Sequence, residues 1–181
     1  MEQIKTLGLL LAADREDSTV LVDVAFRLAG LGAWAEAVKL LDSYAQRPHR
    51  PCAVAMSACL LRAEMMAVLG QRDKARAELE AISTRNNWPW YPAIACDLVS
   101  PALNAVPPIG QDSVKLLTLE AARGLWAEAH VDPKAADSHY REALDSYLSS
   151  WSEYRFALNR IKQLRKAENG TAAEEAPRKK K

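Results

Sequence analysis

Three histidines, three cysteines and a scatter of carboxylates are the side chains of this 181-residue chain best suited to hold a metal or move a proton. His49 lies between two prolines in Arg47-Pro48-His49-Arg50-Pro51. His130 and His139 flank a helix start, with Asp132 and Asp137 near them, a set that can build a surface metal site. A helical zinc site needs two ligands one turn apart, and neither histidine has a second His or Cys at i+4. Cys52, Cys59 and Cys96 are an odd set without metal-ligand spacing. Cys52 and Cys59 would lie roughly 10 Å apart along one helix, too far for a disulfide, so all three read as small reduced thiols. No Gly-rich phosphate loop, nucleophile elbow or zinc-binding helix motif occurs. The expectation is a chain with no cofactor, no metal and no catalysis.

The elements that must position these residues are helices. Ala, Leu, Glu, Arg and Lys are plentiful, Val and Ile are sparse, and no long alternating apolar/polar run occurs, which predicts an all-α fold. Helical spacing and cap residues place helices at 2–13, 18–31, 33–46, 51–69, 71–84, 92–105 with a break near Pro101, 113–130, from the Asp132-Pro133 start to about 148, and 150–168, about nine in all. Asp17 or Ser18, Asp112 and Asp132 are cap residues, whose side-chain oxygens satisfy free first-turn amides. Pro133 suits the first helical position. Ser150-x-x-Glu153 has the form of a capping box, and Gly170 reads as the end of the last helix. Residues 1–169 then form one domain, and the small, charged residues 170–181 read as a disordered basic tail. No segment approaches the ~18 apolar residues of a membrane span. Lys5 and Leu7–Ala13 lead into Asp14-Arg15-Glu16-Asp17, unlike a secretory cleavage site, so a reducing cytoplasmic setting is expected. The net charge of +1 is uneven. Nine basic and three acidic groups fall in 155–181, leaving the remainder acidic.

The chain also repeats itself. Gly32-x-Trp34-x-x-Ala37-x-x-x-Leu41 recurs 38 residues on as Gly70-x-Arg72-x-x-Ala75-x-x-x-Leu79. Ala136, Tyr140, Ala143 and Leu144 repeat the second half. Each copy follows a helix with a small residue near its middle: Ala25, Ala63 and Gly124. Small residues let two antiparallel helices approach closely, and a pair left with one bare face stacks on the next. The pattern resembles the tetratricopeptide repeat family over units of about 18–51, 56–89 and 117–150. It departs from that family at Tyr44 and Ile82, where a small residue is usual, and at Val131, which replaces a turn glycine. The register is lost in an irregular insert at 85–112.

The resemblance implies a right-handed solenoid of helical hairpins ending in a capping helix at 150–168. It also implies a concave groove lined by the first helix of each pair: Thr19, Val22, Phe26 and Ala29; Ser57, Leu60, Glu64 and Ala67; Thr118, Ala121, Leu125 and Glu128. These positions carry no Lys, Arg or Asn to grip a carboxylate. The implied ligand is therefore an apolar or amphipathic protein segment, with another helix of the same chain, such as 2–13, as the competing occupant. Trp88, Trp90 and Tyr91 either anchor a second interface or plug the irregular junction. Trp126 and Trp151 read as core. Arg155, Lys162 and Lys166 form a basic face on the last helix, suited to nucleic acid or solvent. The functional expectation is a protein-binding adaptor or scaffold, with a homodimer open. The alternatives are a dedicated chaperone like the small secretion chaperones built on this repeat, and a nucleic-acid-associated factor.

Overall fold

Aspartates start two of the helices as their sequence context requires. Asp112 Oδ1 accepts from the amides of Val114 and Lys115, each at 3.1 Å. Asp132 Oδ1 accepts from Ala135 N at 3.0 Å, with Pro133 in the first turn where its missing amide costs nothing. The computed structural model describes residues 18–45, 53–85 and 89–174, with side chains as far as residue 167. Among them are α1 (Ser18–Gly30), α2 (Trp34–Ala45), α3 (Ala53–Val68), α4 (Arg72–Ser83), α5 (Trp90–Val99), a 3-10 turn (Pro101–Leu103), α6 (Ser113–Ala129), α7 (Pro133–Leu144) and α8 (Ser152–Glu174). The described chain is all-helical, with eight α-helices and no strand. The helix expected at 2–13, the proposed cap Asp17 and the tail beyond 174 lie outside the described residues.

Three helix pairs, α1–α2, α3–α4 and α6–α7, turn by one device. The amide of Ala33 returns to Leu28 O at 3.0 Å, Gln71 to Met66 O at 2.9 Å and Asp132 to Ala127 O at 3.0 Å. Each turn holds one residue at positive φ: Gly32 at 79°, Gly70 at 81° and Val131 at 61°. Glycine takes this conformation without a Cβ clash, whereas Val131 takes it as a β-branched residue, 78% exposed. In the pair α6–α7 a small residue faces a large one. A Cβ on Gly124 would lie 2.5 Å from the Tyr140 ring, so α6 and α7 meet at a distance only glycine permits.

Elsewhere the helices depart from expectation for local reasons. α5 begins at Trp90, two residues early, because Pro92 is tolerated within a first turn. It stops at Ser100 (φ −148°), since the residue before Pro101 is excluded from the helical region. α7 ends at Leu144 and not near 148, with Ser146 Oγ accepting from Leu148 N at 3.4 Å. The break expected near Ser149 is therefore a longer turn. α8 starts at Ser152 and not at Ser150, and the Ser152 hydroxyl donates to Asp23 on α1. It then runs through Gly170 to Glu174, so 170–174 is helix and not tail. One glycine costs a helix only about 1 kcal/mol against alanine, and Ala172, Ala173 and Glu174 favour continuation.

α1, α3 and α6 pack side by side, α2 packs on α3, and α4 leads into α5. α8 folds back onto α1, α6 and α7, so the first and last described helices touch. One core gathers Leu21, Val24, Leu41, Met65, Tyr140 and Phe156, and a second gathers Met56, Leu60, Leu79, Ile94 and Leu119. Arg62 on α3 joins the pairs, donating to Asp42 on α2 at 2.6 Å and to Glu78 on α4 at 2.5 Å. No helix among the described residues is long and apolar enough to cross a membrane.

Candidate functional site

The residues expected to line a groove lie on α1, α3 and α6, of which α1 and α6 pack against α8. Val22, Phe26, Ala29, Ser57, Leu60, Glu64, Ala67, Thr118, Ala121 and Leu125 are all buried. Thr19 is exposed at the rim. Glu128 is held in a two-pronged pair by Arg160 of α8, at 3.0 and 2.9 Å. The cover is Phe156 of α8, whose ring meets Phe26 edge-on at 6.1 Å between centroids and Tyr140 at 5.5 Å. The helix lying over these faces is thus 152–174, at the opposite end of the chain from 2–13.

The cover is incomplete. Between α1, α3, α6 and α8 a narrow inner chamber of about 20 Å³ is lined by Phe26, Ser57, Glu64, Thr118, Glu153 and Phe156 among others. It meets an outer pocket of about 470 Å³ walled by Val22, Val54, Tyr91, Val114, Trp151 and Glu153. Phe26, Ser57, Tyr91 and Glu153 line both. Trp151 is 41% exposed and forms the pocket's rim in place of the core position expected of it. Trp90 and Tyr91 are half-buried: Trp90 Nε1 donates to Thr118 Oγ1 at 2.7 Å, and Lys115 Nζ lies 5.6 Å from the centre of its ring. Trp88 lies outside the described residues.

The charge in this region has one sign. Among the described residues, the charged groups lining the chamber and pocket are Asp23, Glu64 and Glu153, with no Lys, Arg or His. Asp23 is satisfied by Arg27 at 2.7 Å and by the Ser152 hydroxyl. Glu64 is different. It is 2% exposed, and its Oε1 has no hydrogen-bond partner among the described residues. Burial alone pushes its carboxyl well above the ordinary carboxylate range. Burial also raises Glu153, its own backbone amide pulls it back, and the Asp23 charge adds to the rise.

A second cluster sits behind α6. His130, Asp132, His139, Arg123 and Asp97 line a cleft of about 440 Å³. His130 Nδ1 lies 2.8 Å from Trp126 O. The oxygens of buried Glu120 are both engaged, by Arg123 at 2.9 Å and by His139 Nδ1 at 2.7 Å. The Glu120 hydrogen bond raises the His139 pKa, against a smaller lowering by burial. Ligand atoms of Glu120, His139 and Glu142 fall within 4.8 Å of one another. Asp137, read from sequence as a companion of the histidines, pairs with Arg141 at 2.5 Å. Cys59 and Cys96 are free thiols, half-buried.

Among the described residues of α8 the exposed basic ones are Arg155, Lys162, Arg165 and Lys166. Arg160 is not part of that face: besides Glu128 it stacks over Trp34 at 4.7 Å. On the apolar side of this helix Phe156 is buried at 1%, whereas Leu158 is 36% exposed. The cue for Phe156 was in the sequence, since Phe156, Arg160 and the small Ala157 share one side of the helix.

Fold and site thus define, among the described residues, an all-helical chain whose last helix packs on α1, α6 and α7 and leaves an acidic, apolar-walled pocket beside it. No family model matches the chain. Neither a curated protein nor a solved structure matches it.

Proposed function

We propose that this chain is a non-catalytic protein-binding module, an adaptor or scaffold on a tetratricopeptide-like helical repeat. In this reading the outer pocket receives an apolar or amphipathic segment of a partner. The observation that carries it is the pocket of about 470 Å³ left open where α8 meets α1, walled by Val22, Val54, Val114 and Trp151. Pockets of this size bury a bulky side chain, and aromatic groups at a rim are frequent anchors of protein interfaces. The shared reverse turns at Gly32, Gly70 and Val131 support the repeat. So does the nesting of Tyr140 on Gly124. The free thiols Cys59 and Cys96 suit a reducing, cytoplasmic setting.

The test is affinity purification on the wild type, Val114→Glu and Trp151→Ala, each checked for unchanged helicity. A partner held stoichiometrically by the wild type should be lost at least tenfold from both variants. A partner retained equally by both rejects the pocket as its seat. One dominant partner would narrow the reading to a dedicated chaperone, several to a scaffold. The exposed Arg155, Lys162 and Lys166 support a second reading as a nucleic-acid-associated factor. That reading requires salt-sensitive RNA or DNA binding that disappears when those three are neutralised and is indifferent to Val114→Glu.

A further inference from the structure

Three other buried carboxyls among the described residues have basic partners. Glu120 has Arg123 and His139, Asp97 has Arg123 at 2.9 Å, and Glu128 has Arg160. Glu64 differs from them: it lies deepest, and its Oε1 has no hydrogen-bond partner among the described residues. Placing an acid in an apolar interior without a partner disfavours folding, and a perturbed titratable group in a cleft is a frequent mark of a binding site. Glu64 lines a chamber that opens outward through Glu153, so a ligand from solvent can supply the missing charge.

The dimensions define that ligand. The inner chamber, about 20 Å³, admits one water-sized group. The outer pocket, about 470 Å³ and mostly apolar, accommodates a much larger body. Phe26 and Tyr91 line both and Phe156 lines the chamber, and aromatic faces attract cations. We propose that this is a site for a primary ammonium on an aliphatic stem, with the head between Glu64 and Glu153 and the stem in the outer pocket. The head of a primary ammonium is about the size of a water molecule. A guanidinium or trimethylammonium is too bulky for the chamber, and an uncharged alcohol leaves the carboxyls without a cation. The inference rests on the outer pocket being a binding site, as proposed above, and adds the chemistry of what enters it. A lysine side chain of a partner segment and a free alkylamine share that chemistry.

Isothermal titration at pH 8 with n-hexylammonium, trimethylhexylammonium and n-hexanol tests the proposal. The wild type should bind hexylammonium at least tenfold more tightly than either of the others. Glu64→Gln, which keeps the shape and removes the charge, should reduce hexylammonium to the hexanol level, and Glu153→Gln should weaken it less. An amphipathic peptide with one lysine, compared with its norleucine counterpart, separates the sources. A lysine advantage assigns the site to a partner side chain, and binding of free amine alone assigns it to a small molecule. Equal affinity for hexylammonium and hexanol in the wild type, or full affinity in folded Glu64→Gln, overturns the ammonium site. If that happens while Val114→Glu and Trp151→Ala still lose the protein partner, the pocket binds protein without reading ammonium.

Discussion

Glu64 carries consequences for stability as well as for binding. Its folded-state pKa is raised by burial, so between the ordinary carboxyl value and that raised value the folded chain holds a proton that the unfolded chain has lost. Its contribution to stability is therefore full at acid pH and is lost as pH rises through the raised pKa. Glu153 and His139 shift in the same direction, His139 from a higher starting point near neutrality. The groups around Glu64 are Glu153 on α8 and Tyr140 on α7. Tyr140 in turn senses the Glu128–Arg160 pair. Glu64→Gln removes one proton-linked term and leaves the others. Urea unfolding at pH 5 and pH 8 should show the variant gaining on the wild type as pH rises, by up to about 1.4 kcal/mol per pH unit over the titrating range. A wild type–variant difference that is constant with pH would show that Glu64 is not buried in its neutral form.

At the scale of the element, the three reverse turns show how the chain obtains one geometry from unequal residues. Gly32 and Gly70 reach positive φ freely, while Val131 reaches it against its own β-branched side chain. A left-handed conformation costs an L-residue about 1–2 kcal/mol, and glycine's extra unfolded-state freedom returns part of that. Val131→Gly should stabilise the protein by about 1 kcal/mol in urea or thermal unfolding. Since Val131 is exposed, no lost packing offsets the gain. Unchanged or lowered stability would mean that the valine side chain makes a compensating contact. The same turns explain what was legible in advance. Caps at Asp112 and Asp132, turn glycines and small-residue spacing are local, so most helix bounds came within two residues. The ends of α7 and α8 were not legible. Tyr147 takes φ 57° with no glycine to announce it, and Gly170 announces a stop that the helix does not make. The irregular insert resolved into α5 and a 3-10 turn because Pro92 and Pro101 have fixed positional meanings.

Across the whole molecule, α8 ties the first described helix to α6 and α7. The resemblance to a helical repeat implied a cap at this helix, and nothing local to it says which neighbours it covers. That choice comes from long-range pairings: Phe156 against Phe26 and Tyr140, Arg160 against Glu128 and Trp34, Ser152 against Asp23. Phe26, Ser57, Leu60, Glu64, Thr118, Ala121 and Leu125 were therefore readable as helix-face residues, while the closing of their shared chamber by Phe156 of the last helix was not. If Phe156 is the principal contact of this closure, Phe156→Ala should destabilise by about 3–5 kcal/mol, the usual cost of emptying an aromatic site in a core. Leu158→Ala, one turn-side away and 36% exposed, should change stability by less than about 1 kcal/mol. Hydrogen exchange separates a closing element from a peripheral cap. In Phe156→Ala, amides of α1 and α8 should lose protection together while those of α4 keep theirs, because α8 packs on α1 and not on α4. Loss confined to α8 would show that α1 stays ordered without it and that α8 detaches at small cost.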